Sequence, residues 1–270
     1  MIDLKRLYTN DASQRNQLKH WERRALEKFE DKMLDKEKPF PCIPATIGYA
    51  KNHFFYGFAD DPGKASSIDE AAGMLSNYSS IFKEVGGYTT LIIFYKTPDI
   101  LSMEQFEQLF WEQLNGFAKR DGMKWPEHIP PDPDNPIWEF CFNREQYFMY
   151  CASPAHINRK SRHFDYFMLA ITPRWVLQEF NKSENQAKKI RSHVRERLRN
   201  YDSIDIHPDL NTYGNNDNNN GNNIFYAMTT PLYRIVPFIN QTNESTLRKG
   251  ALLFPVWIRR TYKMVNLSGA

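Results

Sequence analysis

The chain has 270 residues, enough to bury a large core as one domain or at most two. Its hydrophobic content of 41% and charged content of 25% are those of a soluble globular protein, and a net charge of +3 does not by itself require nucleic acid or an anionic membrane as a partner. Three cysteines cannot build a disulfide framework, and no CxxC pair is present for zinc.

The N-terminal segment gives no targeting signal. Residues 1–16 lack the apolar core of a signal peptide. No run in the chain approaches the roughly 20 apolar residues needed to cross a bilayer. We therefore expect a protein in the reducing cytoplasm, with no membrane partner.

Apolar periodicity predicts the elements of the first half of the chain. In order, it predicts an amphipathic helix, a short strand, a helix and a buried strand: residues 13–38, 54–58, 67–83 and 88–95. Ser102 and Gln105 form the capping-box pattern that starts a further helix. Residues 124–136 contain five prolines, which exclude regular structure, but Trp125, His128 and Ile129 could fold over a pocket as an ordered lid.

A cysteine between prolines precedes the first predicted strand. In Phe40-Pro41-Cys42-Ile43-Pro44 the restricted backbone holds the Cys42 sulfur in a narrow range of directions. A free cysteine is usually a small buried hydrophobe. Thiolate ligation of a metal and nucleophilic chemistry are the two alternatives.

The stretch of residues 136–174 combines three predicted strands with one basic segment. Residues 137–142 and 147–151 predict a β-hairpin, and residues 166–172 a third strand. Ser153-Pro154 is a typical helix start. A helix from Pro154 would place four side chains on one face: His156, Arg159, Lys160 and His163.

A neutral imidazole beside fixed cations suits a metal with an anionic periphery, such as haem with its propionates. The alternative is a histidine satisfied by a backbone partner, with the arginines in solvent. A Cys42–His156 hydrolase dyad has no local motif that distinguishes it. The sequence has no phosphate-binding P-loop, GxGxxG, HExxH or GxSxG motif.

The second half of the chain predicts a long basic helix and a polar tail. Residues 175–201 predict one helix, whose basic side at residues 188–199 is either a solvated face or a surface for RNA or another acidic partner. Residues 214–223 are asparagine-rich. We predict a single α+β domain with a mixed or antiparallel sheet covered by helices. Its segments are an N-terminal helix, a core and a divergent tail: residues 1–37, 38–214 and 215–270.

Several fragments, taken together and in order, resemble the YqcI/YcgG family. They cover roughly residues 38 to 214, and the WEFCF and PAHxxRxSR segments are the most specific. The fragments are Phe40-Pro41-Cys42; Tyr56-Gly57-Phe58; Phe110-Trp111 with Asp121 and Trp125-Pro126; Trp138-Glu139-Phe140-Cys141-Phe142; Ser153-Pro154-Ala155-His156 with Arg159-Lys160-Ser161-Arg162; Pro173-Arg174; Ile190-Arg191; Tyr201-Asp202; His207-Pro208; and Tyr213-Gly214.

Some members of that family are haem-dependent oxygenases that hydroxylate a guanidino nitrogen. The resemblance therefore implies haem b as cofactor, dioxygen as co-substrate and a small guanidino or amino substrate such as arginine. His156 is the first choice for the axial iron ligand, and Cys42 is the alternative because a thiolate ligand favours O–O cleavage. Arg159 and Arg162 would pair with the propionates.

The aromatic strand supplies the remaining implied site residues. Glu139 could receive a guanidinium, and the equal alternative is an ion pair with Arg174. Trp138, Phe140 and Phe142 would wall the porphyrin, although core packing explains the same alternation. After Tyr213-Gly214 the sequence departs from the family, where relatives tend to continue with a Glu-Trp-containing strand. The contribution of the tail to a site is therefore in question.

The reading as a haem-dependent N-oxygenase also predicts partners. Electrons would come from a separate reductase, because no flavin or nicotinamide motif is present. Nucleic acid is not expected, and a homodimer is compatible with the prediction. The rival functions are a haem-binding sensor or carrier without turnover, and an RNA- or protein-binding module that uses residues 188–199.

Overall fold

A computed structural model describes residues 7–97, 101–133, 135 and 137–206. The elements are α1 (Ala12–Arg15), α2 (His20–Leu34), α3 (Ile43–Ala50), β1 (Phe54–Ala59), α4 (Ala65–Ile81), β2 (Thr90–Tyr95), α5 (Met103–Arg120), β3 (Phe140–Phe142), β4 (Glu145–Ala152), β5 (Met168–Pro173), α6 (Arg174–Asn181) and α7 (Glu184–Tyr201). A short 3-10 turn follows α4. The asparagine-rich segment and the divergent tail lie outside the described residues.

The strands form one mixed sheet in the order β1-β2-β5-β4-β3. Strands β1 and β2 are parallel, as expected for two strands joined by the crossover helix α4. The pairs β2–β5, β5–β4 and β4–β3 are antiparallel. The predicted α+β fold with a mixed sheet is confirmed. No helix in this part of the chain has both the length and the apolar character that a bilayer span requires.

The two faces of the sheet carry different helices, because successive strand residues point to opposite sides. On one side, Leu91 and Ile93 of β2 pack with α4 and α5. On the other side, Ile92 and Phe94 pack with residues of α2 and α3. These sides are called the α4/α5 face and the α2/α3 face. All six residues of β2 are buried, which confirms the prediction of a strand covered on both faces.

Local signals placed several elements correctly. The Ser102 hydroxyl accepts a hydrogen bond from the Gln105 backbone N–H at 3.3 Å, and the Gln105 side chain accepts from the Ser102 N–H at 2.9 Å. The capping box therefore starts α5 as predicted. The hairpin turns at Asn143 and Arg144, whose φ values of 50° and 64° match a type I′ turn.

Several helix predictions need correction. The predicted helix of residues 13–38 is two helices, α1 and α2, and α2 ends at Leu34. The predicted helix of residues 175–201 is two helices, α6 and α7, which are separated at Lys182 and Ser183. The helix α3 is absent from the predictions, although Pro44 lies in its first turn, where proline is favoured. This short helix matters for the site because it begins directly after Cys42.

Residues 153–164 form a closed loop, and the predicted helix is wrong. The Ser153 N–H donates to the Arg162 carbonyl at 3.1 Å, and the Ser153 carbonyl accepts from the Phe164 N–H at 3.2 Å. The Ser153 hydroxyl also lies 2.8 Å from Nδ1 of His156. These bonds satisfy polar groups that a helix would otherwise have to satisfy, so the loop competes successfully with helix formation.

Candidate functional site

A cavity rich in aromatic side chains lies on the α2/α3 face of the sheet. Its volume is about 90 Å³, and it is partly open to solvent. We call it the aromatic cavity. Its lining residues are Phe29, Lys32, Met33, Phe40, Cys42, Ala45, Phe54, Thr90, Ile92, Phe148, Tyr150, Ala152, His163, Phe164, Met168, Ala170 and Thr172.

Small side chains on the strands leave room in this cavity. Ala152 of β4 and Ala170 of β5 both line it, where larger residues would fill it. The hydroxyl oxygens of Thr90 and Thr172 lie 3.0 Å apart and form a hydrogen bond. Because these hydroxyls satisfy one another, the sheet presents a mainly apolar surface with few polar groups.

Cys42, an exposed residue, lies in the wall of the aromatic cavity. It is the residue before the first turn of α3, and its carbonyl accepts from the Thr46 N–H at 3.1 Å. Burial among protein atoms raises the pKa of the thiol, and a hydrogen bond from the Ala45 backbone N–H acts in the opposite direction. A helix N-terminus stabilises a thiolate, and a bound metal ion deprotonates a coordinating thiol. The position of Cys42 is therefore compatible with metal ligation.

Lys32 brings a charge into the apolar stripe of α2. Its Nζ donates to the carbonyl of Lys160 at 2.8 Å and to that of His163 at 2.7 Å. Burial lowers the pKa of Lys32 to about 8, although Asp202 and Asp165 oppose this shift. Lys32 therefore connects α2 to residues 160–163 and places an ammonium at the edge of the aromatic cavity.

A second, more open pocket adjoins the aromatic cavity and is basic. Its lining residues are Lys32, Lys38, Ile157, Lys160, His163 and Tyr201, and we call it the basic pocket. Lys32 and His163 line both spaces. Burial and the nearby charge of Lys32 lower the pKa of His163, so its ring is neutral at physiological pH.

His156, the first choice for the iron ligand, lies behind this region. Its ring is fully buried, its Nδ1 is 2.8 Å from the Ser153 hydroxyl, and it is not among the residues that line the aromatic cavity. Assigning iron to His156 stays a prediction. The structure brings Cys42 to the cavity, whereas it places His156 in packed surroundings.

The two arginines predicted to hold propionates are also buried. Arg162 donates to the Cys151 carbonyl at 3.2 Å, and its guanidinium lies 4.7 Å from the centre of the Tyr150 ring. Arg159 lies 3.7 Å from a carboxylate oxygen of Asp202, whose side chain is 2% exposed. Neither arginine lines the aromatic cavity or the basic pocket. Their role as propionate partners stays a prediction.

Glu139, Trp138 and Phe140 are not part of the aromatic cavity. Trp138 and Phe140 belong to the core of the α4/α5 face and are fully buried. A carboxylate oxygen of Glu139 lies 3.2 Å from Arg174, which is the ion pair that the sequence offered as the alternative. Burial raises the pKa of Glu139 to about 7, against the attraction of Arg174. The structure therefore does not bring these residues together with Cys42.

The described residues of the proline-rich segment make specific contacts. The Trp125 indole N–H donates to the Ile129 carbonyl at 2.9 Å, and the Trp125 ring lies 6.4 Å from that of Phe140. Trp125, His128 and Ile129 line a surface cleft together with Arg144. They do not line the aromatic cavity, so this segment cannot serve as its lid in the described arrangement.

Two features of the sequence could have indicated the cavity. The predicted apolar face of α2 includes Phe29 and Met33, and Lys32 lies between them in the chain on the same side of the helix. A lysine within an apolar stripe is unusual and marks a buried charge. Phe40 and Cys42, which the resemblance had singled out, line the same cavity.

The fold and this site define an α+β protein with an aromatic cavity that has a cysteine in its wall and a basic rim. The sequence profile of the YqcI/YcgG family matches residues 29–238, and the chain therefore belongs to this family. The resemblance stated from the fragments is thus confirmed. No solved structure gave a significant match.

Three relatives extend over most of the chain. "Uncharacterized protein YqcI" of Bacillus subtilis (strain 168) is 40% identical over 202 residues, which are 73% of this chain and 80% of the relative. "Uncharacterized protein YcgG" of the same organism is 38% identical over 218 residues, or 78% and 86%. "Putative N(omega)-hydroxy-L-arginine synthase DcsA" of Streptomyces lavendulae is 29% identical over 206 residues, or 73% and 76%.

Proposed function

We propose that the protein is a haem-dependent N-oxygenase that hydroxylates a guanidino or amino nitrogen of a small substrate such as arginine. The observation that carries the proposal is the position of Cys42, which directly precedes α3 and lines the aromatic cavity. The name of the Streptomyces relative, an N-hydroxy-arginine synthase, supports N-hydroxylation as the type of reaction.

The chemistry of the lining residues suits a haem group. A flat apolar macrocycle needs aromatic and aliphatic walls, which Phe29, Phe54 and Phe164 provide. Its iron needs one protein donor. The Cys42 thiol and the His163 ring both line the cavity, and Cys42 is the one of the two that the resemblance named as a ligand. Its acidic edge needs cations, and Lys32 lies where the aromatic cavity meets the basic pocket. We therefore assign the iron to Cys42, with His156 as the alternative.

The chain's own residues would then bind, orient and shield the reactants. Bound haem would supply the activation of dioxygen, which protein side chains do not provide. The aromatic walls exclude bulk water and so limit side reactions. The neutral ring of His163, at the edge of the cavity, can accept a proton on a ring nitrogen. Electrons would come from a separate reductase.

Visible spectra of protein expressed with a haem precursor test the proposal. The variants are Cys42→Ala, His156→Gln and, as a thiol control, Cys141→Ala, whose thiol is buried and does not line the cavity. We expect a Soret band that the Cys42 change alone shifts or removes, with circular dichroism showing that all variants fold. Loss of the band in His156→Gln with retention in Cys42→Ala would reassign the ligand.

Turnover separates the remaining functions. Wild-type protein with a reductant, dioxygen and arginine should form an N-hydroxylated product, measured by mass spectrometry. A Soret band without product from arginine-like amines would favour a haem sensor or carrier. A colourless preparation with salt-sensitive RNA binding would favour a binding module that uses the basic face of α7.

A further inference from the structure

The basic pocket holds more positive charge than its surroundings neutralise. Three lysines, Lys32, Lys38 and Lys160, line it. Within the described ranges, no carboxylate forms an ion pair with any of them. The pocket therefore presents an unbalanced positive charge next to the aromatic cavity.

The nearby carboxylates are occupied by other groups. Asp202 accepts hydrogen bonds from the Ser161 N–H at 2.6 Å and from the Ser161 hydroxyl at 2.9 Å, and it pairs with Arg159. Asp165 lies 2.5 Å from the ammonium of Lys28. These carboxylates weaken the field of the pocket, but they leave its lysines available to a ligand.

Lys32 is held in position with one donor to spare. Its ammonium has three N–H groups, and two of them donate to the backbone carbonyls of Lys160 and His163. Lys38 is fixed in a similar way, because its Nζ donates to the Tyr201 carbonyl at 3.0 Å and lies over the Tyr201 ring. Cations that are already positioned lose little freedom when an anion arrives, which favours binding.

We propose that the basic pocket anchors a carboxylate of the ligand whose apolar part occupies the aromatic cavity. The inference rests on the proposed function, which offers two sources of that carboxylate: a propionate of haem and the α-carboxylate of an amino-acid substrate. Lys32 and His163 line both spaces, so one ligand can reach both.

The test uses the full-length protein and the double variant Lys38→Gln/Lys160→Gln. These two lysines are at least partly exposed, so the changes should leave the fold intact. Lys36→Gln is the control, because Lys36 is exposed and lines neither space. Absorbance titrations compare haem with haem dimethyl ester, which lacks the acidic groups. A second titration of the haem-loaded proteins compares arginine with agmatine, its decarboxylated analogue.

Each outcome either supports or overturns the inference. If the propionate is the anchor, the double variant should bind haem about tenfold more weakly and the ester unchanged, since two partly exposed ion pairs contribute on this order. If the substrate carboxylate is the anchor, haem binding stays constant and the preference for arginine over agmatine falls about tenfold. If the wild type, the double variant and the control bind both pairs of ligands with the same affinities, the inference is overturned. Haem binding by all three proteins would in that case still support the proposed function. Failure of the wild type to bind either haem compound overturns both.

Discussion

Glu139 allows a prediction of how stability depends on pH. Its side chain is only 6% exposed. One carboxylate oxygen forms an ion pair with Arg174, and the other accepts no hydrogen bond from the described residues. Burial raises its pKa from the ordinary 4.5 to about 7, because removing the charged form from water outweighs the attraction of Arg174. The perturbation is Glu139→Gln, which keeps the shape and removes the titration.

The sign follows from the raised pKa. Below pH 4.5 the carboxyl is protonated in both the folded and the unfolded chain. As the pH rises to about 7, the unfolded chain ionises first, so the free energy of unfolding falls. A shift of this size corresponds to about 3 kcal/mol in total, at about 1.4 kcal/mol per pKa unit. The glutamine variant should not show this loss.

Urea unfolding of both proteins at pH 4, 5.5, 7 and 8 would measure the effect. We expect the stability of Glu139→Gln relative to wild type to increase by about 3 kcal/mol across this range. Taking the difference removes the contributions of other titrating groups. Glu145→Gln is the control, because Glu145 lies nearer the surface and pairs with Lys83. A difference that is flat for Glu139→Gln, or equal for the two variants, would refute the reasoning.

Two further predictions concern the cavity and the loop beside it. Ala170→Phe should leave the fold intact but abolish the uptake of haem in a titration, because the new ring would occupy the aromatic cavity that Ala170 lines. Full haem binding by this variant would contradict the placement of the ligand. Asp202→Ala should reduce the free energy of unfolding by about 3 kcal/mol in urea, because it removes a carboxylate paired with the buried Arg159 and two hydrogen bonds to Ser161. Asp165→Ala, which breaks an exposed pair with Lys28, should cost less than about 1 kcal/mol, and equal losses would contradict the argument.

The sequence predicted elements whose signals are local. The capping box at Ser102 and the run of apolar residues in β2 indicated those elements directly, because the residues that cause them are neighbours in the chain. The prediction of a helix after Ser153 is wrong for the opposite reason. Backbone hydrogen bonds join Ser153 to Arg162 and to Phe164 and so close the loop. These residues are too far apart in the sequence for a local motif to reveal the bonds.

The site could be predicted only in part, because the sequence of a strand does not show which side of the sheet each of its residues faces. Phe140 alternates with its neighbours as a wall residue should, but the sheet order places it on the α4/α5 face. Cys42 was recognised as a candidate from its flanking prolines. Its position at the start of α3 and at the cavity depended on a short helix that periodicity did not reveal.

The two faces of the sheet therefore have different physical roles. On the α4/α5 face, large rings such as Trp111 and Trp138 are fully buried in the core, and this face supplies cohesion. On the α2/α3 face, Ala152 and Ala170 leave space, and atoms around such space lose contacts that a filled core would have. A ligand that fills the cavity restores those contacts and stabilises the folded state by linkage. A ligand that binds in the cavity should therefore also stabilise the α2/α3 face, because Cys42 and Lys32 line that cavity.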